Sequence, residues 1–373
     1  MIIDYIFKDN KTGMFQGRVS FLRDLFERFE ISCDKNIVSI DLTHEFINSI
    51  TQEDLKSIAT YLHNISIPEN YSIVFSSYPL WNPQIIRVVD YWLSKNNYYA
   101  YILTRAKENI LISNAKVLSV NSFTSIFAEV YHEDVSYTDL QNKYKPLTFS
   151  KKHYISANYQ TKPHRSLIFI LLRAMNIIPK GYVSVNQGLT NDYYPKYTFD
   201  LVYDQSLHSL ITEELFEKSL FEQHFLDKGP KHRVWRDWAF HRSEEFLDLN
   251  SECLINVVTE ATHCDRGFFT EKTMIPLIIK RPFFMCCGVN SLVMLREQGY
   301  KTFDTLWDES YDSEPDLYKR YIMIAEQLKY LCSLSLPDLR DKIEQAQDIL
   351  DHNYKTFFSF DHKKHVLKLL ENI

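Results

Sequence analysis

Glycine is scarce in this sequence, which has only eight glycines in 373 residues. No GxGxxG run and no Walker loop occurs. The usual dinucleotide-binding fold and the P-loop kinases are therefore disfavoured, because both cradle phosphates with a glycine-rich loop. If the protein binds phosphates, side chains and helix N-termini must supply most of the contacts.

Metal-binding, membrane and secretion signals are also missing. The six cysteines form no CxxC pair and no cysteine–histidine zinc spacing, so we expect buried reduced thiols, no disulfide and no structural metal. No apolar run reaches the roughly 18 residues of a membrane span. The start, MIIDYIFKDN, lacks the basic region and cleavage site of a signal peptide. We expect a cytoplasmic protein, or one made in a host cytoplasm, with no membrane partner.

The net charge of −6 excludes a generic polyanion binder, so that any contact with nucleic acid must come from a local patch.

Short β-rich runs alternate with amphipathic segments in the first part of the chain. Strands are predicted at 2–7, 36–42, 71–77 and 98–104, and helices near 21–29, 52–63 and 83–94. Such alternation is typical of a parallel sheet covered on both faces.

The pattern then restarts. Strands are predicted at 153–160, 181–187, 253–261 and 282–288, and helices near 163–176, 270–280 and 290–298 and through 314–373, with an irregular helical stretch at 190–250. We expect two Rossmann-like βα domains, at 1–147 and 148–345, with the helices of 346–373 packing back across both.

The segment CDRGFFTEKTMIPLIIKRPFF, residues 264–284, places Thr-Glu-Lys at the start of a predicted helix. Thr270 stands at the N-cap position, so Glu271 and Lys272 fall in the first turn. Unpaired N–H groups and the helix dipole make this turn an anion site. Glu271 can also accept hydrogen bonds from the vicinal hydroxyls of a ribose. Pro276 denies the carbonyl of Lys272 its usual helical partner. The alternative is a capped helix with solvated Glu and Lys side chains.

With Glu260 upstream and an apolar helix and a proline-led strand downstream, this segment resembles the donor-binding motif of α-1,3-fucosyltransferase-like GT-B enzymes. The longer stretch FFTEKTMIPLIIKRPFFMCCGVNSLVMLREQGYKTFDTLWDESYD is similar to phage-encoded proteins of that type. The resemblance implies an α/β protein of two Rossmann-like βα domains facing a cleft, with 1–147 as the acceptor-side domain and 148–345 as the nucleotide-sugar-binding domain. It also implies Glu271 on the ribose and Lys272 on the diphosphate. Ala261 stands where the family usually has asparagine, which leaves the sugar and base of the donor open.

A second segment, SANYQTKPHRSL, resembles the fucosyltransferase segment in which a Ser-Asn strand end precedes a phosphate-binding arginine. Here Ser156 and Asn158 end a predicted strand, and Arg165 falls in the first turn of the next helix. A guanidinium offers a planar fork for bidentate phosphate contact. The alternative for Arg165 is a surface arginine.

The acceptor hydroxyl needs a carboxylate base, which a GT-B fold takes from its N-terminal domain at the carboxyl ends of the strands. Asp9 follows the first predicted strand, and Asp41 and Glu45 follow the second. Each is a candidate base and alternatively a cap or a surface acid. The departing diphosphate needs no metal if fixed Arg and Lys side chains stabilise its charge.

The segment KHRVWRDWAFHR, residues 231–242, interleaves basic and aromatic side chains. Basic groups suit phosphates and aromatic rings suit exposed bases, so the segment predicts a contact with a polymeric acceptor. The residues concerned are Arg233, Trp235, Arg236 and Trp238. The alternative is an amphipathic helix with buried tryptophans.

These observations favour a metal-independent glycosyltransferase that moves a sugar from a nucleotide diphosphate to a hydroxyl. The resemblance to phage proteins suggests a 5-hydroxymethylated pyrimidine in double-stranded DNA as the acceptor, which would have to leave the base stack. The alternatives are a glycan or small-molecule glycosyltransferase and a catalytically inactive binding module with the same fold.

Overall fold

The computed structural model describes nine strands and eleven helices in the parts of the chain that it covers. These parts are residues 1–6, 21–32, 34–42, 52–76, 83–104, 112–121, 123–124, 140–158, 163–184, 244–260 and 269–373. The strands are β1 (Ile2–Ile6), β2 (Ile37–Asp41), β3 (Ser72–Ser76), β4 (Ala100–Thr104), β5 (Ala115–Ser119), β6 (Lys152–Ala157), β7 (Gly181–Ser184), β8 (Cys253–Thr259) and β9 (Phe283–Cys286).

The helices follow the strands in alternation and then fill the C-terminal part. They are α1 (Phe21–Arg28), α2 (Gln52–His63), α3 (Pro83–Asn96), α4 (Pro163–Ala174), α5 (Glu244–Ser251), α6 (Glu271–Ile278), α7 (Ser291–Glu297), α8 (Leu317–Ser333), α9 (Leu336–Glu344), α10 (Gln347–Ser359) and α11 (His362–Glu371). In the part of the chain that is described, no helix is long and apolar enough to cross a membrane.

The chain divides into two compact units. The first unit contains residues 1–134 and 361–373, and the second contains residues 135–360. The domain boundary expected from the sequence, 147/148, lies inside the second unit. The expected C-terminal segment 346–373 is divided between the two units.

The first unit contains a five-stranded parallel sheet with its strands in chain order, β1-β2-β3-β4-β5. One face packs against α2 and α3 and uses residues such as Val38 and Ile40 of β2. The other face packs against α1 and uses the alternate residue Ile37. This alternation of buried side chains confirms the predicted parallel sheet with cover on both faces.

The last helix, α11, completes the core of the first unit. Val366 and Leu370 are buried against Leu22 and Leu25 of α1. The Nζ of Lys35 donates a hydrogen bond to the carbonyl of Leu370 at 2.7 Å. The final segment of the chain therefore belongs to the unit that begins at the N-terminus.

The second unit contains a four-stranded parallel sheet with the order β7-β6-β8-β9. A buried arginine, Arg281, stabilises the end of this sheet at which the strands begin. Its guanidinium donates to the carbonyls of Cys253 and Ser251, each at 2.9 Å, and of Pro146 at 3.2 Å. Burial lowers the pKa of Arg281 to about 10. The carbonyls disperse the charge, and the side chain has a structural role.

Four cysteines fall in the described parts of the chain, and all four are buried free thiols. They are Cys253, Cys286, Cys287 and Cys332. Burial raises the pKa of each of Cys253, Cys286 and Cys332 above its usual range, so these thiols are protonated and unreactive at neutral pH. Cys33 and Cys264 lie outside the described residues.

Candidate functional site

The strand order of the second sheet reverses between β6 and β8. The chain leaves β6 toward β7 on one side and leaves β8 toward β9 on the other. In open parallel sheets, ligands bind outside the carboxyl ends of the strands at such a reversal, because the two connections diverge and leave a crevice. Asn158 directly follows β6, and Glu260 directly follows β8. The sequence-predicted residues Asn158 and Glu260 are therefore at the reversal.

Asn158 connects the ends of three strands. Its backbone N–H donates to the Ser184 hydroxyl at 3.0 Å, and its side-chain amide donates to Ser156 Oγ at 3.2 Å. Its amide oxygen accepts a hydrogen bond from the Thr259 hydroxyl. Because these bonds engage both ends of the buried side-chain amide, Asn158 holds β6, β7 and β8 in register under the crevice.

Glu260 is fully buried and holds the first turn of α6 on the end of β8. Its carboxylate accepts hydrogen bonds from the backbone N–H of Thr270 at 2.9 Å and from the Thr270 hydroxyl at 2.5 Å. The hydroxyl of Thr273 also donates to it. These three donors stabilise the buried negative charge. Glu260 therefore orients α6, which carries the Glu-Lys pair.

Thr270 is the N-cap of α6, as the sequence predicts, and its hydroxyl accepts from the N–H of Lys272. Glu271 and Lys272 form an ion pair in the first turn. The Glu271 side chain has only 5% of its surface exposed, whereas that of Lys272 has 19%. Pro276 lies inside the helix, so the carbonyl of Lys272 lacks its usual helical partner. Because more of its side chain is exposed, Lys272 is easier for a ligand to reach than Glu271.

Arg165 is in the first turn of α4 and joins this group. One guanidinium nitrogen donates to the carbonyl of Glu260 at 3.3 Å. Burial lowers the pKa of Arg165, and the charges of Glu271 and Glu260 oppose this shift. His164, its neighbour, lies 2.9 Å from the same carbonyl through Nε2. The structure thus brings Arg165 together with the adjacent pair Glu271 and Lys272, which lies far from it in the sequence.

The charges of this group balance. Two cations, Arg165 and Lys272, lie among two carboxylates, Glu260 and Glu271, and all of these side chains except Lys272 are almost fully buried. Charged groups persist in such surroundings only when they are paired. Buried pairs of this kind concentrate at functional sites, although they also occur in purely structural networks.

Asp41 is the one candidate base in the described part of the chain. It ends β2 in the first unit and is 4% exposed. The nearby charge of Asp41 helps burial to raise the pKa of Tyr61 above its usual range. Asp9 and Glu45 lie outside the described residues.

The proposed acceptor patch also lies outside the described parts of the chain. It consists of Arg233, Trp235, Arg236 and Trp238. It remains a prediction.

The acidic segment DESYD, residues 308–312, has a role that the sequence analysis missed. Asp312 caps α7, because its carboxylate accepts from the N–H groups of Leu292 at 2.9 Å and Val293 at 3.3 Å. Glu309 accepts from the N–H of Phe303 at 2.6 Å. Asp312 therefore fixes the start of α7, which follows β9, and Glu309 fixes the segment that follows α7. The signal in the sequence was the run of Asp, Glu and Ser side chains in this segment, because Asp and Ser are preferred as helix caps.

Comparison with known proteins assigns no family: no protein-family model matches the chain, and no curated protein does either. Within the described residues, no group of three or more His, Cys, Asp or Glu side chains could hold a metal ion. Any functional assignment therefore depends on the geometry of the charged group at the strand reversal.

Proposed function

We propose that the protein is a glycosyltransferase of the GT-B type that transfers a sugar from a nucleotide diphosphate to a hydroxyl. The observation that supports this most is the meeting of Arg165 with Glu271 and Lys272 at the reversal of the second sheet. Two helices start there, so their N–H groups and dipoles add to the attraction for an anion.

Each side chain has a proposed role. Lys272, the most exposed of the three, contacts the diphosphate first. Glu271 then exchanges Lys272 for the vicinal hydroxyls of the ribose, and Arg165 offers its fork to the phosphates. As the sugar leaves, negative charge grows on the diphosphate, and these fixed cations stabilise it without a metal.

The proposed acceptor is a hydroxymethylated pyrimidine in DNA, supported by the basic and aromatic composition of residues 231–242. A carboxylate of the first unit would take the proton of the acceptor hydroxyl. Asp41 is the described candidate, beside Asp9 and Glu45.

Ligand-induced thermal shift tests the donor site. We expect one of UDP, GDP, CMP or their sugars to raise the melting temperature, because a ligand that binds only the folded state stabilises it. Lys272→Ala should weaken this binding about 10-fold or more, as expected for the loss of a charged contact. The matched control is Lys319→Ala, which removes an exposed lysine from α8 and should leave the affinity unchanged.

Turnover separates an enzyme from an inactive binding module. An enzyme should hydrolyse the bound donor slowly and add a sugar mass to hydroxymethylated DNA, to a glycan or to a small molecule, as detected by mass spectrometry. Binding without either reaction would support the binding module. The absence of any shift with every nucleotide would remove the proposal.

A further inference from the structure

Tyr321 on α8 has a buried hydroxyl without an evident structural purpose. The side chain is fully buried, and its hydroxyl has no hydrogen-bond partner among the residues that the structure describes. Buried tyrosine hydroxyls normally have a partner. A phenylalanine would fill the same space without burying a polar atom, so packing alone does not explain a tyrosine here.

The surroundings of Tyr321 connect it to the candidate site. Its helix, α8, packs against α4, which carries Arg165. Tyr321 lies near Arg165 and near Cys286 and Cys287 at the carboxyl end of β9. The adjacent Arg320 donates to backbone carbonyls, including that of Cys287 at 2.5 Å. Arg320 is therefore committed to the backbone, whereas Arg165 belongs to the charged group at the reversal.

The chemistry of the two groups is complementary. Burial raises the pKa of Tyr321 well above its usual range, so the phenol is neutral and keeps its proton. A guanidinium has only donors, which means that the phenol oxygen is the part of Tyr321 that can bond to Arg165. The carboxylates of Glu260 and Glu271 also attract Arg165.

We propose that Tyr321 is a positioning residue for Arg165, an inference that rests on the proposed function. When the donor diphosphate binds, the hydroxyl oxygen of Tyr321 accepts a hydrogen bond from the guanidinium and holds the fork toward the phosphates. Tyr321 acts on the ligand only through Arg165, because its own side chain has no exposed surface.

A double-mutant cycle tests this coupling. Tyr321→Phe should weaken binding of the preferred nucleoside diphosphate about 10-fold, measured by titration calorimetry, and should not lower the melting temperature of the free protein. In an Arg165→Lys background, which keeps the charge but removes the fork, Tyr321→Phe should have no further effect on the affinity. A merely structural hydroxyl would have the same effect in both backgrounds.

The matched control is Tyr154→Phe. Tyr154 is also fully buried in the second unit, but its hydroxyl donates to the carbonyl of Ile177 at 3.1 Å. This variant should lower the melting temperature and leave the affinity unchanged. If Tyr321→Phe binds with wild-type affinity, or loses as much affinity in the Arg165→Lys background as in the wild type, the role of Tyr321 is overturned and the proposed function is not. A wild-type protein that binds no nucleoside diphosphate would overturn the proposed function and the inference with it.

Discussion

The first sheet places its five strands in chain order, whereas the second sheet places β7 and β9 on opposite sides of the pair β6 and β8. Both sheets are parallel and both alternate with helices, so they are built from the same repeating unit. Among the described strands, only those of the second sheet have an order that reverses along the chain. A reversal separates two neighbouring connections and leaves room for a ligand between them.

The two sheets also differ in the side chains at the carboxyl ends of their strands. At the edge of the first sheet, β2 ends in the buried carboxylate of Asp41. At the reversal of the second sheet, Arg165, Glu260, Glu271 and Lys272 form a group of balanced charge. Under the proposed function, the charged group of the second unit would hold the donor.

The largest expected effect is on the charged group of the second unit. Glu260→Ala removes the acceptor of three buried donors and leaves Arg165 with one carboxylate fewer. We expect a loss of about 3–5 kcal/mol in the free energy of unfolding, measured by urea denaturation. Glu260→Gln, which keeps the shape and one acceptor, should cost less. A cost below about 1 kcal/mol for Glu260→Ala would show that the group tolerates disruption.

Acid should affect the first unit more than the second. Burial lowers the pKa of His362 from 6.5 to about 3, and it also lowers that of His365. His362 bonds to the Thr124 hydroxyl at 2.8 Å, and His365 accepts from the N–H of Asn121 at 3.0 Å. Below pH 6.5 these histidines bind protons more readily in the unfolded chain than in the folded unit. The free energy of unfolding therefore falls as the pH falls.

The expected loss for His362 alone is about 3 kcal/mol between pH 6.5 and about pH 4. In the second unit, burial raises the pKa of Glu309 and Asp312, so their protonation at low pH favours the folded state. Burial lowers the pKa of His153, so its protonation favours the unfolded state, and the two effects offset each other. Hydrogen exchange, corrected for intrinsic rates, should show earlier loss of protection in the first unit. His362→Gln should reduce the difference, and equal loss in both units would contradict it.

The smallest expected effect compares two residues with left-handed backbone, Glu30 in the first unit (φ 49°) and Lys280 in the second (φ 54°). Glycine relieves the strain of this conformation, so Glu30→Gly should stabilise the protein by about 0.5–1 kcal/mol. Lys280→Gly should gain less, because Lys280 pairs with Asp351 at 2.8 Å and lies 4.2 Å from the ring centre of Tyr144. Thermal unfolding measures both, and a larger gain at Lys280 would disagree with this account.

The sequence predicts local elements better than their arrangement. The apolar spacing from Gln52 to His63 predicts α2 with the observed bounds, because helical periodicity is a local property. The order of the second sheet has no such signal, since buried parallel strands all have similar apolar sequences. The sequence analysis expects the helices of 346–373 to pack back across both domains, but it does not predict that Val366 and Leu370 join the core of the first unit, because an apolar helix face does not identify its partner.

The site was predictable in part for the same reason. Thr270, Glu271 and Lys272 were identified from a helix start, and Arg165 from another. Their meeting depends on the strand order, which periodicity does not supply. Tyr321 carried no signal, because its role depends on what surrounds its hydroxyl in the fold.

The position of α11 has a consequence for synthesis of the protein. Residues 361–373 are translated after the whole of the second unit, yet they pack against one face of the sheet formed by the first unit. The first unit therefore keeps apolar surface exposed to water until α11 has been made, whereas the second unit can already fold. A nascent chain is thus exposed to aggregation until α11 has been made and has packed, and a change in α11 would disturb a unit whose other residues are translated much earlier.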